Sequence, residues 1–354
     1  MNNIDKIRQA FSSQEYDALL VTDPVNRLFA TGFASSAGVL LVTARDAWFF
    51  TDSRYIEAAA AAIEHAQTRL ITKDDPCPAQ IKALLEERGI GRVGFEDGAM
   101  TYSGYLEWTQ KLEMNLVPAE KLIVDLRVVK TPDDLGKLKD AQRLAEKSFE
   151  ETLPLICADI TEKQLAAELV YRMVKNGADD KAFDPIIVSG PRSSMPHGVP
   201  GNDKIGDGFL TIDFGARLDS WCSDTTRTLC VGKPSDEMIR VYDTVLEAQE
   251  AGIAYARAGV PGSGVDAAAR AVIEKAGYGE CFGHGFGHGL GLEVHEAPTA
   301  SPSSEDTLPE GAVISAEPGV YLPGRFGVRI EDVIYITGSG CENITNLPKK
   351  LIIL

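Results

Sequence analysis

The chain has 354 residues, of which 44% are hydrophobic and 25% charged, a composition typical of a globular protein and not of a disordered one. Its length favours two domains. Lysine and arginine number 35 against 52 aspartates and glutamates, and the resulting net charge of −17 excludes nucleic acid and anionic membrane surfaces as expected partners.

The cysteines and the N-terminal stretch predict where the protein resides. The six cysteines are scattered without a CxxC pair, which argues against a zinc knuckle or a disulfide framework and favours a reducing compartment. The first residues, MNNIDKIRQAF, lack the apolar core of a signal peptide, and no apolar run approaches the ~20 residues of a membrane span. We therefore expect a cytoplasmic protein that does not cross a membrane.

Short strands and helices alternate in the first part of the chain. Runs rich in β-branched and aromatic residues predict strands at 17–22, 38–43 and 46–52. An alanine-rich run at 55–66 and a helically spaced run that ends in glycine at 81–89 predict helices. This order indicates an α/β domain without a catalytic cluster.

A long amphipathic segment at 132–158 opens the second part. Its apolar residues are spaced for one helical face, Thr131 is the expected N-cap, and Pro132 stands in the first turn. We therefore expect the first domain to cover 1–130 and the second 131–354. Further helices are predicted at 162–176, 236–258 and 264–276.

Two strand regions of the second part share a plan in which an apolar hairpin delivers two carboxylates. The first, GFLTIDFGARLDSWCSDTTRTLCV, carries Asp213 and Asp224. The second, GAVISAEPGVYLPGRFGVRIEDVIYI, carries Glu317 and Glu331. Burying an ionised carboxylate in an apolar strand face costs several kcal/mol unless something compensates, so four such acids indicate bound cations.

Most histidines of the chain lie beside these acids, namely His197, His284, His288 and His295. The segment GHGFGHGLGLEVHE has glycine at every second position of its first part, which excludes a stable helix. In an extended chain His284, Phe286 and His288 would share one face and bring both imidazoles into one site. His295 has the other parity, so the chain must bend after Leu292 if His295 is to join them.

The ligand types of this cluster suit a two-metal site. Four carboxylates with an imidazole favour hard or borderline divalent ions such as manganese, cobalt, iron or zinc, and their four negative charges balance two divalent cations. Such a site can hold a bridging water, lower its pKa and polarise the carbonyl that the water attacks. Arg227 and Arg329 carry less weight because an arginine near acids is usually a structural ion pair. Cys222 is expected to be a small core residue.

The motifs carry a family resemblance. FDPIIVSGPRSSMPHG, TIDFGA, SDTTRT, GHGFGHGLGLEVHE, AEPGVY and GVRIED follow one another along the second part, which resembles the pita-bread metallopeptidases of the Xaa-Pro aminopeptidase and Xaa-Pro dipeptidase branch. NRLFATGF and TDSRYIEAA resemble the creatinase-like N-terminal domain of that branch. The resemblance covers nearly the whole chain. It implies an α/β (α+β) fold with a creatinase-like N-terminal domain and a pita-bread catalytic domain of pseudo-symmetric β-hairpins and helices.

The resemblance also implies a role for each site residue. The metal ligands would be Asp213, Asp224, His288, Glu317 and Glu331. Asp224 and Glu331 would bridge two divalent ions, with manganese expected and cobalt, zinc or iron as alternatives. Glu317 would also act as general base, and Arg329 would support the site. The residues lining the scissile bond would be His197, His284 and His295.

The implied activity is removal of the first residue of a peptide whose second residue is proline, by an Xaa-Pro aminopeptidase with a metal-bridging water as nucleophile. Proline lacks an amide hydrogen, so such a peptide needs a dedicated pocket. An Xaa-Pro dipeptidase, or prolidase, is the alternative, and a non-catalytic pita-bread binding protein is a remote one. A creatinase-like enzyme would not need all five ligands, and methionine aminopeptidase normally lacks the first domain. The resemblance further implies proline-containing peptides as partners and a homodimer.

Overall fold

The computed structural model describes residues 1–11, 14–156 and 159–354, and the chain divides into two units, Met1–Arg127 and Val128–Leu354. No helix in this described part of the chain is long and apolar enough to cross a lipid bilayer. Among the described residues five cysteines are free thiols, and Cys157 lies outside them.

The first unit is built around one mixed sheet. Its strands are β1 Ala18–Val21, β2 Val39–Thr43, β3 Ala47–Thr51, β4 Gln67–Leu70, β5 Val93–Phe95 and β6 Leu116–Pro118. The accompanying helices are α1 Asn3–Ala10, α2 Pro24–Thr31, α3 Ile56–Ala62, α4 Cys77–Glu87, α5 Tyr102–Leu112 and α6 Glu120–Val128. The strand order is β4-β3-β2-β1-β5-β6, with β2 antiparallel to both of its neighbours and the remaining pairs parallel.

The side chains of this sheet alternate between two hydrophobic cores because successive strand residues point to opposite faces. Leu19 of β1 packs in the cluster that contains Ile4 of α1, whereas Leu20 packs in the cluster that contains Ile81 of α4. Helices therefore cover both faces, which is the α/β arrangement that the sequence predicts.

The predicted elements of the first unit differ from the structure mainly at their ends. The three predicted strands form β1, β2 and β3, each one or two residues shorter than expected. The alanine-rich helix ends at Ala62. Helix α4 begins at Cys77, four residues before the predicted start, because Pro78 fits the first turn, where no amide hydrogen is required.

The second unit contains two pairs of helices and several small sheets. The helices are α7 Pro132–Thr152, α8 Glu162–Lys175, α9 Asp236–Tyr255 and α10 Gly262–Lys275. The strands are β7 Asp180–Lys181, β8 Ile186–Ser189, β9 Gly208–Phe214, β10 Ala216–Leu218, β11 Trp221–Cys222, β12 Thr225–Val231, β13 Gly287–Gly289, β14 Glu296–Ala300, β15 Val313–Ala316, β16 Gly319–Leu322, β17 Phe326–Arg329, β18 Asp332–Ile336 and β19 Cys341–Asn343.

Two antiparallel strand pairs place the four acids. In the sheet β12-β9-β8, Asp213 lies near the end of β9 and Asp224 directly precedes β12. In the sheet β14-β13-β15-β18-β19, Glu317 directly follows β15 and Glu331 directly precedes β18. Each hairpin thus delivers its two carboxylates at one end, as the sequence predicts.

Each of these sheets packs against its own pair of helices, which gives the second unit its pseudo-symmetry. Phe149 of α7 stacks on Phe214 of β9 with ring centroids 5.1 Å apart, in a core that α8 completes. Val245 of α9 and Ile314 of β15 belong to the other core, to which α10 contributes. The pita-bread arrangement implied by the motifs is confirmed by this plan.

Helix α7 shows why the predicted helix at 132–158 is too long. It begins as expected, with the Thr131 side chain accepting from the backbone N–H of Asp134 and the Asp134 side chain closing a capping box. It ends at Thr152 because Pro154 turns the chain into a 3-10 helix, Leu153–Leu155. Positions 157 and 158 of the prediction lie outside the described residues.

Candidate metal centre

The acids of the two hairpins and one histidine line a single cavity. Ligand atoms of Asp224, His288 and Glu331 lie within 4.8 Å of one another. The Nε2 atom of His288 is 3.7 Å from Oδ2 of Asp224 and 3.1 Å from Oε1 of Glu317. All five predicted ligands, together with the three predicted site histidines and Arg329, line this cavity, whose volume is about 1090 Å³.

Asp213 uses only one of its two carboxylate oxygens for hydrogen bonding. Its Oδ2 lies 2.6 Å from Nη2 of Arg329, while its buried Oδ1 has no hydrogen-bond partner among the described residues. Arg329 also donates from Nε to Oγ1 of Thr226 over 3.0 Å, and that hydroxyl donates to Oε2 of Glu331 over 2.8 Å. Arg329 and Thr226 therefore connect acids that belong to different hairpins.

His288 is held in the orientation that a metal ligand requires. Its Nδ1 lies 3.1 Å from the carbonyl oxygen of Gly289, so a proton on Nδ1 leaves the Nε2 lone pair directed at the acids. Its backbone N–H donates to the hydroxyl of Ser315, which donates to Oε1 of Glu317. A Cβ atom at Gly287 would lie 2.0 Å from the Ser315 carbonyl oxygen, so only glycine allows this close approach.

Two further histidines take positions around the ligands. The Nδ1 of His284 lies 2.8 Å from the Gly285 carbonyl oxygen, and its Nε2 lies 2.9 Å from the hydroxyl of Tyr321, which accepts from Nη1 of Arg329. The rings of His288 and His295 have centroids 4.3 Å apart. The chain bends between residues 291 and 295, after β13, which is how His295 reaches the same cavity.

The expected orientation of Phe286 is wrong. In the part of the chain that the structure describes, its ring does not line the cavity with the histidines but packs in the hydrophobic core against helix α9. A Cβ atom at Gly252 would lie 2.3 Å from the ring, so this glycine makes the space that receives it. Strand β13 covers only residues 287–289, and the strict alternation expected from an extended chain therefore does not reach Phe286.

The crowding of acids perturbs their ionisation. Burial and the charges of Glu331 and Asp213 raise the pKa of Asp224 well above its usual range. Burial and the charges of Glu317 and Asp213 do the same to the pKa of Glu331. Burial also acts on Glu317, but the hydrogen bond and charge of His288 outweigh it and lower the Glu317 pKa to about 2. Without further cations, the site therefore cannot ionise all its acids at neutral pH.

This chemistry fits divalent cations. Carboxylates with one imidazole are the ligands of hard and borderline metal ions, and the orphaned Oδ1 of Asp213 is a buried acceptor that needs a positive partner. Cations between the two hairpins would also offset the repulsion among the acids.

The sequence interpretation missed Thr226 and Tyr321, which join the site through hydrogen bonds. Thr226 lies within SDTTRT and Tyr321 within AEPGVY, so both belong to motifs that were singled out without a role for them. Of the two arginines that were given less weight, Arg227 forms a buried ion pair with Asp332 at 2.8 Å, as expected of a structural residue. Cys222 is a buried core residue whose thiol lies 3.6 Å from the Leu292 carbonyl oxygen.

Known proteins resemble this chain over its full length. The Xaa-Pro dipeptidase from Pyrococcus horikoshii is 35% identical over 99% of this chain and 98% of its own. The structure of an Xaa-Pro dipeptidase from Bacillus anthracis has a TM-score of 0.96 and 40% identity, covering 99% of both chains. The X-Pro aminopeptidase from Thermotoga maritima has a TM-score of 0.91 and 35% identity, covering 98% of this chain and 100% of its own.

Two family models divide the chain between them. The model of the Creatinase/Prolidase N-terminal domain matches residues 3–129, and that of metallopeptidase family M24 matches residues 136–338. The second match spans more than half of the chain and includes every predicted ligand. With its acids, histidines and hairpins in the places described above, the chain therefore belongs to metallopeptidase family M24 and is a metallo-exopeptidase with a creatinase-like N-terminal domain.

Proposed function

We propose that this metallo-exopeptidase hydrolyses the bond between an N-terminal residue and a following proline. The observation that carries the proposal is a single cavity lined by the five proposed ligand side chains and by His197, His284 and His295, with ligand atoms of Asp224, His288 and Glu331 within 4.8 Å of one another. The names of the similar dipeptidases and aminopeptidase support the choice of proline in the second position.

Two substrate lengths are candidates. The motif resemblance favours longer peptides, but the similar proteins named Xaa-Pro dipeptidase support dipeptides at least as well, and we place dipeptides first. The second candidate rests on the size of the cavity. At about 1090 Å³ the cavity slightly exceeds the ~300–1,000 Å³ typical of small-molecule sites, which leaves room for residues beyond proline.

The residues proposed to hold two divalent ions are Asp213, Asp224, His288, Glu317 and Glu331, with Asp224 and Glu331 shared between the ions. Divalent ions in such a site supply Lewis acidity, which polarises a carbonyl group and lowers the pKa of water. Manganese as the native ion, a homodimeric assembly and a cytoplasmic location stay predictions.

The remaining chemistry belongs to side chains of the cavity. The carboxylate of Glu317 is assigned to accept a proton from the attacking water. Burial lowers the pKa of His284 and of His295, which favours neutral imidazoles. A neutral imidazole still has one N–H, and we assign His295 to donate it to the substrate carbonyl oxygen as charge develops there. His197, which lines the same cavity, is assigned to the same oxygen.

Arg329 is proposed to position the acids of the site and not to take part in the reaction. Its guanidinium is shared among Asp213, Thr226 and Tyr321, and these contacts fix an acid of the first hairpin relative to the second. Because these contacts engage its Nε, Nη1 and Nη2 atoms, we assign the substrate no contact with it.

The test compares alanyl-proline, alanyl-prolyl-alanine and alanyl-alanine as substrates of enzyme stripped by chelation and reloaded with manganese. We expect the proline peptides to be cleaved and alanyl-alanine to be spared, with Glu317→Gln as an inactive control. Equal cleavage of alanyl-alanine would contradict the proline preference. Activity without detectable metal would contradict the assigned chemistry, and the ratio of dipeptide to tripeptide cleavage ranks the two candidate lengths.

A further inference from the structure

The turn that carries His295 is wrapped around one carboxylate. Oε1 of Glu296 accepts from the backbone N–H of Glu293 at 3.0 Å, which closes residues 293–296 into a turn. A Cβ atom at Gly291 would lie 2.6 Å from Oε2 of Glu296, so the glycine lets the chain pass beside this carboxylate. His295 directly precedes Glu296 in the chain.

Lys130 forms a buried ion pair with Glu296. Its Nζ lies 2.8 Å from Oε2 of Glu296, and the two side chains are only 2% and 5% exposed. The backbone N–H of Lys130 donates to the carbonyl oxygen of Gly311 at 2.8 Å, so the lysine is tethered at both ends. A charge pair this deeply buried is sensitive to loss of either partner, because the remaining charge is then left in an apolar environment.

The start of the turn is held separately. The Leu290 N–H donates to Val313, and the carbonyl oxygen of Gly291 accepts from the Cys222 N–H at 2.8 Å, which ties this part of the chain to strands β15 and β11. Beyond Leu292, the backbone N–H of Gly291 donates to the Glu293 carbonyl oxygen and Glu296 pairs with Gly289 at the start of β14. The Glu296 carboxylate adds the side-chain contacts of this turn, to the Glu293 N–H and to Lys130. Within the described part of the chain Lys130 does not line the cavity, whereas His295 does.

We propose that Lys130 and Glu296 form a positioning pair that sets the place of His295 opposite His288. This inference rests on the proposed role of His295 in the reaction. Lys130 is a positioning residue and not a catalytic one, because it reaches the substrate only through the turn 293–296.

The experiment is a double-mutant cycle with manganese-loaded enzyme and alanyl-proline. Lys130→Met and His295→Ala are made singly and together, with Lys130→Arg as the conservative variant. We expect Lys130→Met to lower kcat about tenfold with KM and metal content nearly unchanged, and Lys130→Arg to recover most of the rate. In the His295→Ala background the same change should alter kcat less than about twofold. The effects of two substitutions on the rate do not add when one residue acts through the other.

Hydrogen exchange supplies a readout that does not depend on activity. Lys130→Met should speed amide exchange in residues 291–296, and His295→Ala should not. The matched control is Lys139→Met, which removes a partner of Glu342 at 2.6 Å in a pair that is 25% and 50% exposed, and which should leave both kcat and this exchange unchanged. If Lys130→Met does not fold, Glu296→Gln carries the same cycle.

The outcomes separate the inference from the proposed function. An equal loss of kcat in both backgrounds, loss of metal with Lys130→Met, or unchanged exchange in 291–296 would overturn the positioning pair. Full activity of His295→Ala would overturn the proposed role of His295, and with it the catalytic meaning of the pair. Loss of the Lys130 effect in the His295→Ala background, with faster exchange in the turn, supports the inference.

Discussion

Two buried carboxylates, one in each unit of the chain, are accommodated in opposite ways. Glu96 of the first unit is fully buried, and its two oxygens accept from the backbone N–H groups of Thr22 and Asp23, the Thr22 hydroxyl and the Asn26 side chain. Asp213 of the second unit is 8% exposed, yet one of its oxygens has no hydrogen-bond partner among the described residues.

The difference teaches how a structural acid can be told from a ligand. Burial raises the pKa of Glu96, but the N–H groups of Asp23 and Thr22 oppose that shift because they stabilise the charged form. The acids of the metal centre have fewer donors and repel one another, so a cation is the partner they lack. A buried carboxylate whose lone pairs are filled by N–H groups is structural, and one whose lone pairs are open is a candidate ligand.

The largest expected effect comes from the acids assigned to both ions. Asp224→Asn removes a negative charge that would hold two cations together, so we expect it to weaken both sites by more than the ~10–100-fold that loss of an outer hydrogen-bond partner costs. Asp213→Asn removes a ligand assigned to one ion only. That variant should keep at least one ion, with higher affinity than the Asp224→Asn variant shows. Calorimetric titration with manganese and elemental analysis measure the ranking.

Glu96→Gln is the matched control for this comparison because it neutralises an equally buried acid of the other unit. Its metal content should equal that of the unaltered chain. Binding of two ions with unchanged affinity by Asp224→Asn would show that the bridging assignment is wrong.

The next effect concerns a residue assigned to the reaction and not to the metal. His295→Ala should lower turnover about 10²-fold, or ~2.7 kcal/mol in activation free energy, because one preorganised donor is lost while the ligand set stays intact. Metal content should remain near normal. His65→Ala, which removes an exposed histidine of the first unit, should have no effect on turnover. Metal loss in proportion to activity would make His295 a ligand instead.

Much of the fold could be predicted because its signals are local. Apolar runs marked three of the six described strands of the first unit, and the four helices predicted for the second unit begin within two residues of the observed starts. The acids were visible because a carboxylate in an apolar strand is rare enough to need a reason.

The parts that could not be predicted depend on contacts between distant segments. Thr226 connects Arg329 to Glu331 only because β12 and β18 meet in space. The sequence around the threonine carries no signal of that contact. Lys130 reaches Glu296 across 166 residues. The misplaced ring of Phe286 has the same origin, because the space it fills is made by Gly252 on another helix.

A smaller effect is expected when the structural acid loses its charge. Glu96→Gln places an NH₂ group where Glu96 accepts hydrogen bonds on both oxygens, so at least one donor is left unsatisfied. We expect a loss of about 1–3 kcal/mol in the free energy of unfolding, measured by urea titration of the metal-loaded chain. Glu107→Gln, at an exposed position of helix α5, should change stability little. An unchanged urea midpoint for Glu96→Gln would contradict the structural role of this acid.

The smallest effect concerns an acid that is accommodated by protonation, and not by hydrogen-bond donors or by bound cations. Glu120 lies near Glu96, Asp23 and Asp97, and its Oε2 has no hydrogen-bond partner among the described residues. Burial, reinforced by those three charges, raises the pKa of Glu120 to about 7. Because the folded state binds the proton more tightly than the unfolded state, whose glutamate pKa is about 4.3, Glu120 contributes stability that is lost as pH rises from about 4.3 to about 7.

Glu120→Gln cannot ionise, so the variant should gain stability relative to the unaltered chain between pH 5 and pH 8. Since the side chain is only half-buried, solvent screening limits the gain to a few tenths of a kcal/mol up to about 1 kcal/mol. Urea midpoints of both proteins at pH 5, 6, 7 and 8 measure it, with Glu107→Gln as the exposed control. A difference that does not grow with pH would show that Glu120 ionises as freely in the folded chain as in the unfolded one.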